Sequence, residues 1–311
     1  MTRHTLTLCA GLAIAAILAG CGEKGGEVTK PSQDPAAVGP ATNAPKRKIL
    51  FFSKSSGFEH SCIKVKDGQP SHVDKVLAEL GAKHHIEFTC TKDGTVFTPE
   101  GLAKFDAVFL YTTGDLTQSG NDKQPPMPAD GKETLLNYVK SGKGFIGSHC
   151  ATDTFHSKGD QVDPYIEMVG GEFISHGAQQ TAKMTCADAK FPGCGQCNAG
   201  FELHEEWYSL KNIARDMRVI LINETTGMKG WMYERPAFPA TWAKKYGKGR
   251  VFYTSMGHRE DVWTNPTFQS ILLGGIRVAC RDVKADLTPN VEKVTPHAWD
   301  VPNAPPKPAK K

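Results

Sequence analysis

In the first half of the chain, segments with the apolar pattern of a strand alternate with segments that have the apolar spacing of a helix. Short apolar runs, each followed by polar or glycine residues, predict buried strands, and longer segments with apolar residues three or four apart predict helices. The predicted strands are KILFFS, HIEFTC, DAVFLY and GFIG, and the predicted helices are HVDKVLAELG, Pro99 to Lys104 and GKETLLNYVKSGKG. Strands that alternate with helices predict a parallel sheet joined by right-handed crossovers.

The second half is richer in strands. The predicted strands are TAKMT, ELHEEWYSL, RVILIN, ATWAKKY and GRVFYTSM, and a last helix is predicted to begin at Asn265 and Pro266 and to end at Cys280. A domain over residues 47 to 282 is long enough for one large α/β core.

Both ends of the chain differ from this pattern. Residues 1 to 20 combine basic residues with a short apolar run, which is typical of an export signal, and LAGC ending at Cys21 resembles a bacterial lipobox. We expect lipid on Cys21, an anchor in the cell envelope and, because Gly22 is not aspartate, an outer-membrane location facing the periplasm. Residues 21 to 46 and 283 to 311 are predicted to be a flexible tether and a tail rich in proline and lysine.

Charge and composition narrow the range of partners. The net charge of +4 over 311 residues is mild, and no basic stripe with interleaved aromatic residues occurs. Nucleic acid is therefore a poor candidate as a partner, and a small polar ligand fits better.

The cysteines suggest oxidation in an exported protein. Cys186, Cys194 and Cys197 lie close together in a loop with several glycines, which predicts at least one disulfide among them. Cys194 and Cys197 also have the spacing of a zinc site, but one such pair is weak evidence.

Residues with reactive side chains follow several predicted strands. Because the carboxyl ends of parallel strands meet at one edge of the sheet, these residues should line one crevice. Imidazole and carboxylate groups can bind a divalent metal such as zinc and can transfer protons. The residues are His60, Asp115, His149, Asp153, His258 and Glu260.

Several motifs resemble the trehalose-utilisation (ThuA-like) family, in order and over nearly the whole of residues 47 to 280. They are KILFFSKSSGFEH, GKGFIGSHCATDTFH, HEEWYSL, PATWAKKY and GKGRVFYTSMGHREDVW. The resemblance implies a flavodoxin-like α/β fold, as in class I glutamine amidotransferases: an open, mostly parallel sheet with helices on both faces. It also implies a role in the metabolism of trehalose or oxidised sugars.

The resemblance makes His149 the central residue. In an amidotransferase a nucleophilic cysteine occupies the strained turn after this strand, but here His149 holds that position and Cys150 comes one residue later. The arrangement suits metal binding, sugar binding or general-base catalysis and argues against glutamine hydrolysis. For Cys150 two interpretations remain open: a half-buried packing residue, or a disulfide with Cys62.

HEEWYSL provides further candidates. Alternation along a strand places His204 and Glu206 on one face and Glu205 and Trp207 on the other. The resemblance marks Glu206 as an acid, base or ligand, with Trp207 or Tyr208 as a surface on which a sugar ring stacks. An amphipathic strand with solvated carboxylates is the alternative.

Two functions follow. The first is an enzyme that isomerises, epimerises or cleaves a carbohydrate or keto-sugar with His149, Asp153, Glu206 and His258 as proton-transfer groups, with Asp115 and Glu260 binding the sugar. A divalent metal held by His60 with His149 and His258 would assist. The second is a lipid-anchored module that binds a sugar without converting it. The number of titratable groups favours the enzyme.

Overall fold

The computed structural model describes residues 46–305, and its main element is a nine-stranded mixed sheet. A separate two-stranded sheet accompanies it. The strands are β1 (Arg47–Phe52), β2 (Ile86–Thr91), β3 (Ala107–Leu110), β4 (Gly144–Ser148), β5 (Glu172–His176), β6 (Gln180–Cys186), β7 (Phe201–Glu205), β8 (Tyr208–Lys211), β9 (Met217–Glu224), β10 (Phe238–Tyr246) and β11 (Gly249–Thr254).

The helices cover and connect the strands. They are α1 (His72–His84), α2 (Pro99–Ala103), α3 (Gly131–Lys140), α4 (Pro164–Val169), α5 (Glu260–Trp263), α6 (Pro266–Ala279) and α7 (Val291–Val294). None of the helices in the described part of the chain is long and apolar enough to cross a membrane. Cys21, the residue predicted to carry lipid, lies outside the described residues.

Strand order divides the large sheet into two halves. Strands β2, β1, β3, β4 and β11 are neighbours in that order and pair in parallel. This is the order of a flavodoxin-like sheet, with β11 as its fifth strand, so the predicted fold class is confirmed. Strands β10, β9, β6 and β7 extend the sheet in antiparallel fashion. The antiparallel half accounts for the strand-rich second part of the sequence.

Helix α1 differs from its predicted boundary. It begins with a capping box between Ser71 and Asp74 and continues past Gly81 to His84, with His85 in the left-handed conformation. Gly81 is therefore not the residue that ends the helix. A Cβ on Gly81 would lie 2.5 Å from the carbonyl oxygen of Ile86, so glycine lets the helix pack closely on β2.

The predicted strand ELHEEWYSL is divided between the two sheets. Strand β7 ends at Glu205, and the chain resumes as β8 at Tyr208, where it pairs with β5. Glu206 and Trp207 lie in the connection between the sheets. The predicted alternation of faces is therefore wrong here, because both Glu205 and Glu206 are buried.

Part of the predicted carboxyl-terminal tail packs on the large sheet. The side chain of Asn290 accepts a hydrogen bond from Val219 N at 2.6 Å and donates one to Val219 O at 3.1 Å. Val291 and Ala298 are buried. Burial of these apolar residues fixes this part of the segment on the sheet, although the segment is rich in proline and charged residues.

Candidate metal centre

Neighbouring strands of the parallel half each supply an aromatic or imidazole ring to one cluster. His60 lies in the connection after β1, Tyr111 follows β3, His149 follows β4 and His258 follows β11. Since β1, β3, β4 and β11 are adjacent, their carboxyl ends bring residues that are far apart in sequence to one place. The predicted convergence of His60, His149 and His258 is thus present in the structure.

The three imidazoles are nearly equidistant and nearly perpendicular to one another. Ring centroids are 5.0 Å apart for His60 and His149, 5.1 Å for His60 and His258, and 5.2 Å for His149 and His258, with interplanar angles between 78° and 87°. One potential ligand atom from each residue lies within 4.8 Å of the others. We call these three residues the histidine triad.

Two triad rings have a buried nitrogen without a hydrogen-bond partner in residues 46–305, Nδ1 of His60 and Nε2 of His149, whereas Nδ1 of His258 lies 3.0 Å from Oε2 of Glu206. An unpaired buried polar atom is costly, and a cation would compensate that cost. Two such nitrogens beside a third converging imidazole fit a metal bound by three histidines, and an open coordination position is typical of catalytic zinc.

His149 has the backbone conformation of a strained elbow. Its φ of 45° is in the left-handed region, and its side chain is completely buried. Nδ1 lies 3.1 Å from the carbonyl oxygen of Ser255, so Nδ1 carries the proton and Nε2 of the neutral ring has a free lone pair. The elbow predicted from GSHC therefore presents a nitrogen suited to a metal.

Burial keeps two members of the triad neutral. Burial, with smaller contributions from the neighbouring His258 and His176, lowers the pKa of His60 to about 3. Burial also holds the pKa of His149 well below its usual value, with smaller contributions from His60 and His258. Neutral imidazole is the form that binds metals.

Side chains hold the loop from Ser255 to His258 in place. The carbonyl oxygen of Gly257 accepts hydrogen bonds from Tyr111 Oη at 2.9 Å and Trp263 Nε1 at 2.8 Å. Gly257 has a φ of 123°, and a Cβ there would lie 2.7 Å from Ser148 Oγ. Glycine is therefore required at the position before His258.

Glu205, which the sequence pattern placed on the other face of its strand, also supports this loop. Its Oε2 accepts hydrogen bonds from the backbone nitrogens of Gly257 at 2.9 Å and His258 at 3.1 Å. Complete burial raises the pKa of Glu205 to about 7, although these hydrogen bonds act in the opposite direction.

Glu206 lies between His258 and His176. Its Oε2 is 3.0 Å from Nδ1 of His258, without hydrogen-bond alignment, and its Oε1 is 3.1 Å from Nδ1 of His176. Glu206 is nearly buried, so its carboxylate faces the triad instead of solvent. His176 was missed by the sequence analysis, because β5 has no clear apolar alternation.

The structure separates other predicted site residues from the triad. Oδ1 of Asp153 contacts His156 at 2.7 Å, and this hydrogen bond raises the pKa of His156. Asp115 caps Thr117 and lines a different cleft, which it shares with His156. In residues 46–305 no hydrogen bond or ion pair joins either carboxylate to the triad.

The remaining predicted residues have different surroundings. Tyr208 packs against His149, with ring centroids 4.2 Å apart. Trp207 is completely buried and donates to the carbonyl oxygen of Gln180, so it offers no face to a sugar. Glu260 lines a recess beside His258.

The predicted disulfides are not supported by the structure, whereas the packing interpretation of Cys150 is. Cys186, Cys194 and Cys197 are free thiols, as are Cys62 and Cys150. Cys194 and Cys197 lie at the two ends of a short 3-10 turn. A hydrogen bond between their thiols, together with burial, raises the pKa of Cys194. Cys62 instead contacts Tyr111 Oη at 3.3 Å, and Cys150 is a fully buried packing residue.

Comparisons with known proteins agree with the motifs. The family model ThuA, described as trehalose utilisation, matches residues 48–279. No curated protein matches. A ThuA-like protein of Bacteroides uniformis has a TM-score of 0.57 at 17% identity, covering 76% of this chain and 91% of its own. A ThuA-like protein of Parabacteroides merdae has a TM-score of 0.54 at 17% identity, covering 79% and 94%. At these identities the solved structures support the fold alone.

Proposed function

This chain belongs to the ThuA (trehalose utilisation) family, and from that premise we propose that it is a metal-assisted enzyme acting on a carbohydrate or keto-sugar. The observation that carries the proposal is the histidine triad, in which one possible ligand atom of each ring lies within 4.8 Å of the others and nitrogens of His60 and His149 have no hydrogen-bond partner in the described residues. A binding module needs hydroxyl and aromatic contacts, but it does not need three converging imidazoles beside a buried carboxylate.

The chemistry follows from the groups present. The triad would hold a divalent metal such as zinc, which would supply a Lewis acid for a substrate carbonyl oxygen and so increase the acidity of the neighbouring carbon-bound proton. Glu206 would accept that proton as a general base, and its two oxygens lie 3.1 and 3.0 Å from Nδ1 of His176 and of His258. Return of a proton to the opposite face of the same carbon gives epimerisation. Its return to the former carbonyl carbon, with a proton passed between the two oxygens, gives isomerisation, and loss of a leaving group from the β carbon gives cleavage.

Reversible removal of the metal tests this function. We expect a chelator to abolish turnover of a keto-disaccharide, such as a keto form of trehalose, and stoichiometric zinc or another divalent ion to restore it. Product formation is followed by mass spectrometry, and solvent deuterium incorporated next to the carbonyl reports proton transfer. Turnover that persists after complete removal of the metal would contradict the proposal. Binding without turnover, with metal present, would favour a binding module.

We also propose that Cys21 carries a lipid that anchors the protein in the cell envelope, at the outer membrane. The support is LAGC at the end of an export-signal apolar run. In Cys21→Ser we expect the protein to leave the membrane fraction or to accumulate as an unprocessed precursor, as measured by fractionation and intact mass. Normal processing with unchanged membrane retention would argue against the anchor.

A further inference from the structure

Phe58 is an exposed aromatic ring next to the histidine triad. With 65% of its surface exposed, it is the most exposed large hydrophobic residue of the described chain. The ring lies edge-on to His60, with centroids 5.1 Å apart and an interplanar angle of 89°. Its position beside a triad member sets it apart from a hydrophobic residue that is merely exposed.

Hydrogen bonds to the backbone of residues 56 to 58 fix the loop that carries Phe58. The carbonyl oxygen of Phe58 accepts from Thr113 Oγ1 at 2.9 Å, and the carbonyl oxygen of Gly57 accepts from Asn121 Nδ2 at 2.7 Å. The backbone nitrogens of Ser56 and Gly57 both donate to Thr113 O, at 2.9 and 3.1 Å. These hydrogen bonds hold the loop in one conformation with the Phe58 ring exposed to solvent. Because the loop needs little further ordering when a ligand binds, this arrangement favours binding.

A polar recess adjoins the triad at His258. Ser61, the residue after His60, also lines it, and the other lining residues are Gln179, Arg259, Glu260 and Asp261. This set supplies hydroxyl, amide and carboxylate groups, which are suited to hydrogen bonds with sugar hydroxyls.

The charge of the recess disfavours an anionic ligand. Arg259, the arginine of this lining, donates from Nε and Nη2 to Asp261 at 2.9 and 3.0 Å and from Nη1 to Gln179 at 2.7 Å. Its guanidinium is thus already paired with Asp261, and Glu260 leaves one negative charge without a cationic partner in this lining. A phosphate would meet like charges here and find the guanidinium engaged.

We propose that Phe58 and the recess form the substrate site, with Phe58 as the stacking surface for one ring of an uncharged saccharide and the recess as the hydrogen-bonding surface for its hydroxyls. The inference rests on the proposed function and narrows its substrate class to neutral sugars, excluding sugar phosphates. Aromatic rings offer an apolar face to the C–H face of a pyranose, while the recess satisfies its hydroxyl groups.

Binding and metal content, measured on the same preparations, test the proposal. Trehalose, its keto form and trehalose 6-phosphate are titrated by calorimetry into the parent, Phe58→Ala, Phe58→Trp and the control Val65→Ala, which removes another exposed apolar side chain. We expect Phe58→Ala to bind the neutral sugars about tenfold more weakly, with Phe58→Trp and Val65→Ala close to the parent. We expect the phosphate to bind the parent at least about tenfold more weakly than trehalose.

Unchanged sugar affinity in Phe58→Ala, or a parent that binds none of the neutral sugars, would overturn the assignment of Phe58. Equal or tighter binding of trehalose 6-phosphate would overturn the restriction to neutral sugars. Metal content separates this inference from the proposed function. A parent without metal contradicts the metal-assisted enzyme, whereas a metal-loaded Phe58→Ala with parental affinity contradicts only the role of Phe58.

Discussion

His149→Asn is expected to lose the bound metal and all turnover while the protein stays folded. Asparagine tolerates the left-handed backbone that His149 adopts, with its φ of 45°, so the elbow keeps its shape. The substitution removes the ring whose Nε2 has no hydrogen-bond partner in the described residues. Metal content by elemental analysis, turnover and thermal unfolding measure the outcome. We expect the metal-free protein to change in stability by only about 1 to 2 kcal/mol.

A histidine elsewhere on the same sheet provides the control. His204 is exposed on β7, where its ring contacts Thr181. His204→Asn should keep metal and activity. His149→Asn with a full complement of metal, or with activity lost only because the protein unfolds, would make His149 a structural residue.

Glu206→Gln is expected to lower kcat by about 10² to 10⁴ while metal and substrate still bind. Glutamine keeps the shape of the side chain between His176 and His258 but cannot take a proton from carbon. KM should therefore change little compared with kcat. Loss of solvent deuterium exchange at the carbon next to the carbonyl would identify the missing step.

Glu202 offers a matched control, because it is an exposed glutamate on the strand that leads to Glu206. Glu202→Gln should behave like the parent. If Glu206→Gln instead releases the metal, its carboxylate holds the centre together and does not act as the base. Parental kcat in Glu206→Gln would remove the residue from the reaction.

The sequence predicted β1 to β4 of the parallel half well, because β1, β3 and β4 are short apolar runs bounded by polar residues and β2 alternates apolar and polar residues. That pattern also located His60, His149 and His258 at strand ends, and the sheet order brings them together. Asp153 was predicted with them from its nearness in sequence to His149. The 3-10 turn His149–Asp153 instead brings its carboxylate to His156.

The parts of the site that were missed depend on long-range geometry. Period-two alternation assigns Glu205 and Glu206 to opposite faces, but it cannot show that β7 ends between them and that the chain then joins a second sheet. His176 becomes a partner of Glu206 only through the pairing of β5 with β8. Phe58 is notable because its ring is exposed, and the sequence around it does not predict that exposure.

The central claim is that the histidine triad holds a metal, and elemental analysis of the purified protein tests it most directly. The protein is prepared from its native compartment without chelators or affinity metals, in parallel with His149→Asn. We predict about one divalent ion per chain in the parent, with three histidines as ligands, and almost none in the variant. A parent protein that carries no stoichiometric metal and takes none up from equimolar zinc would contradict the claim.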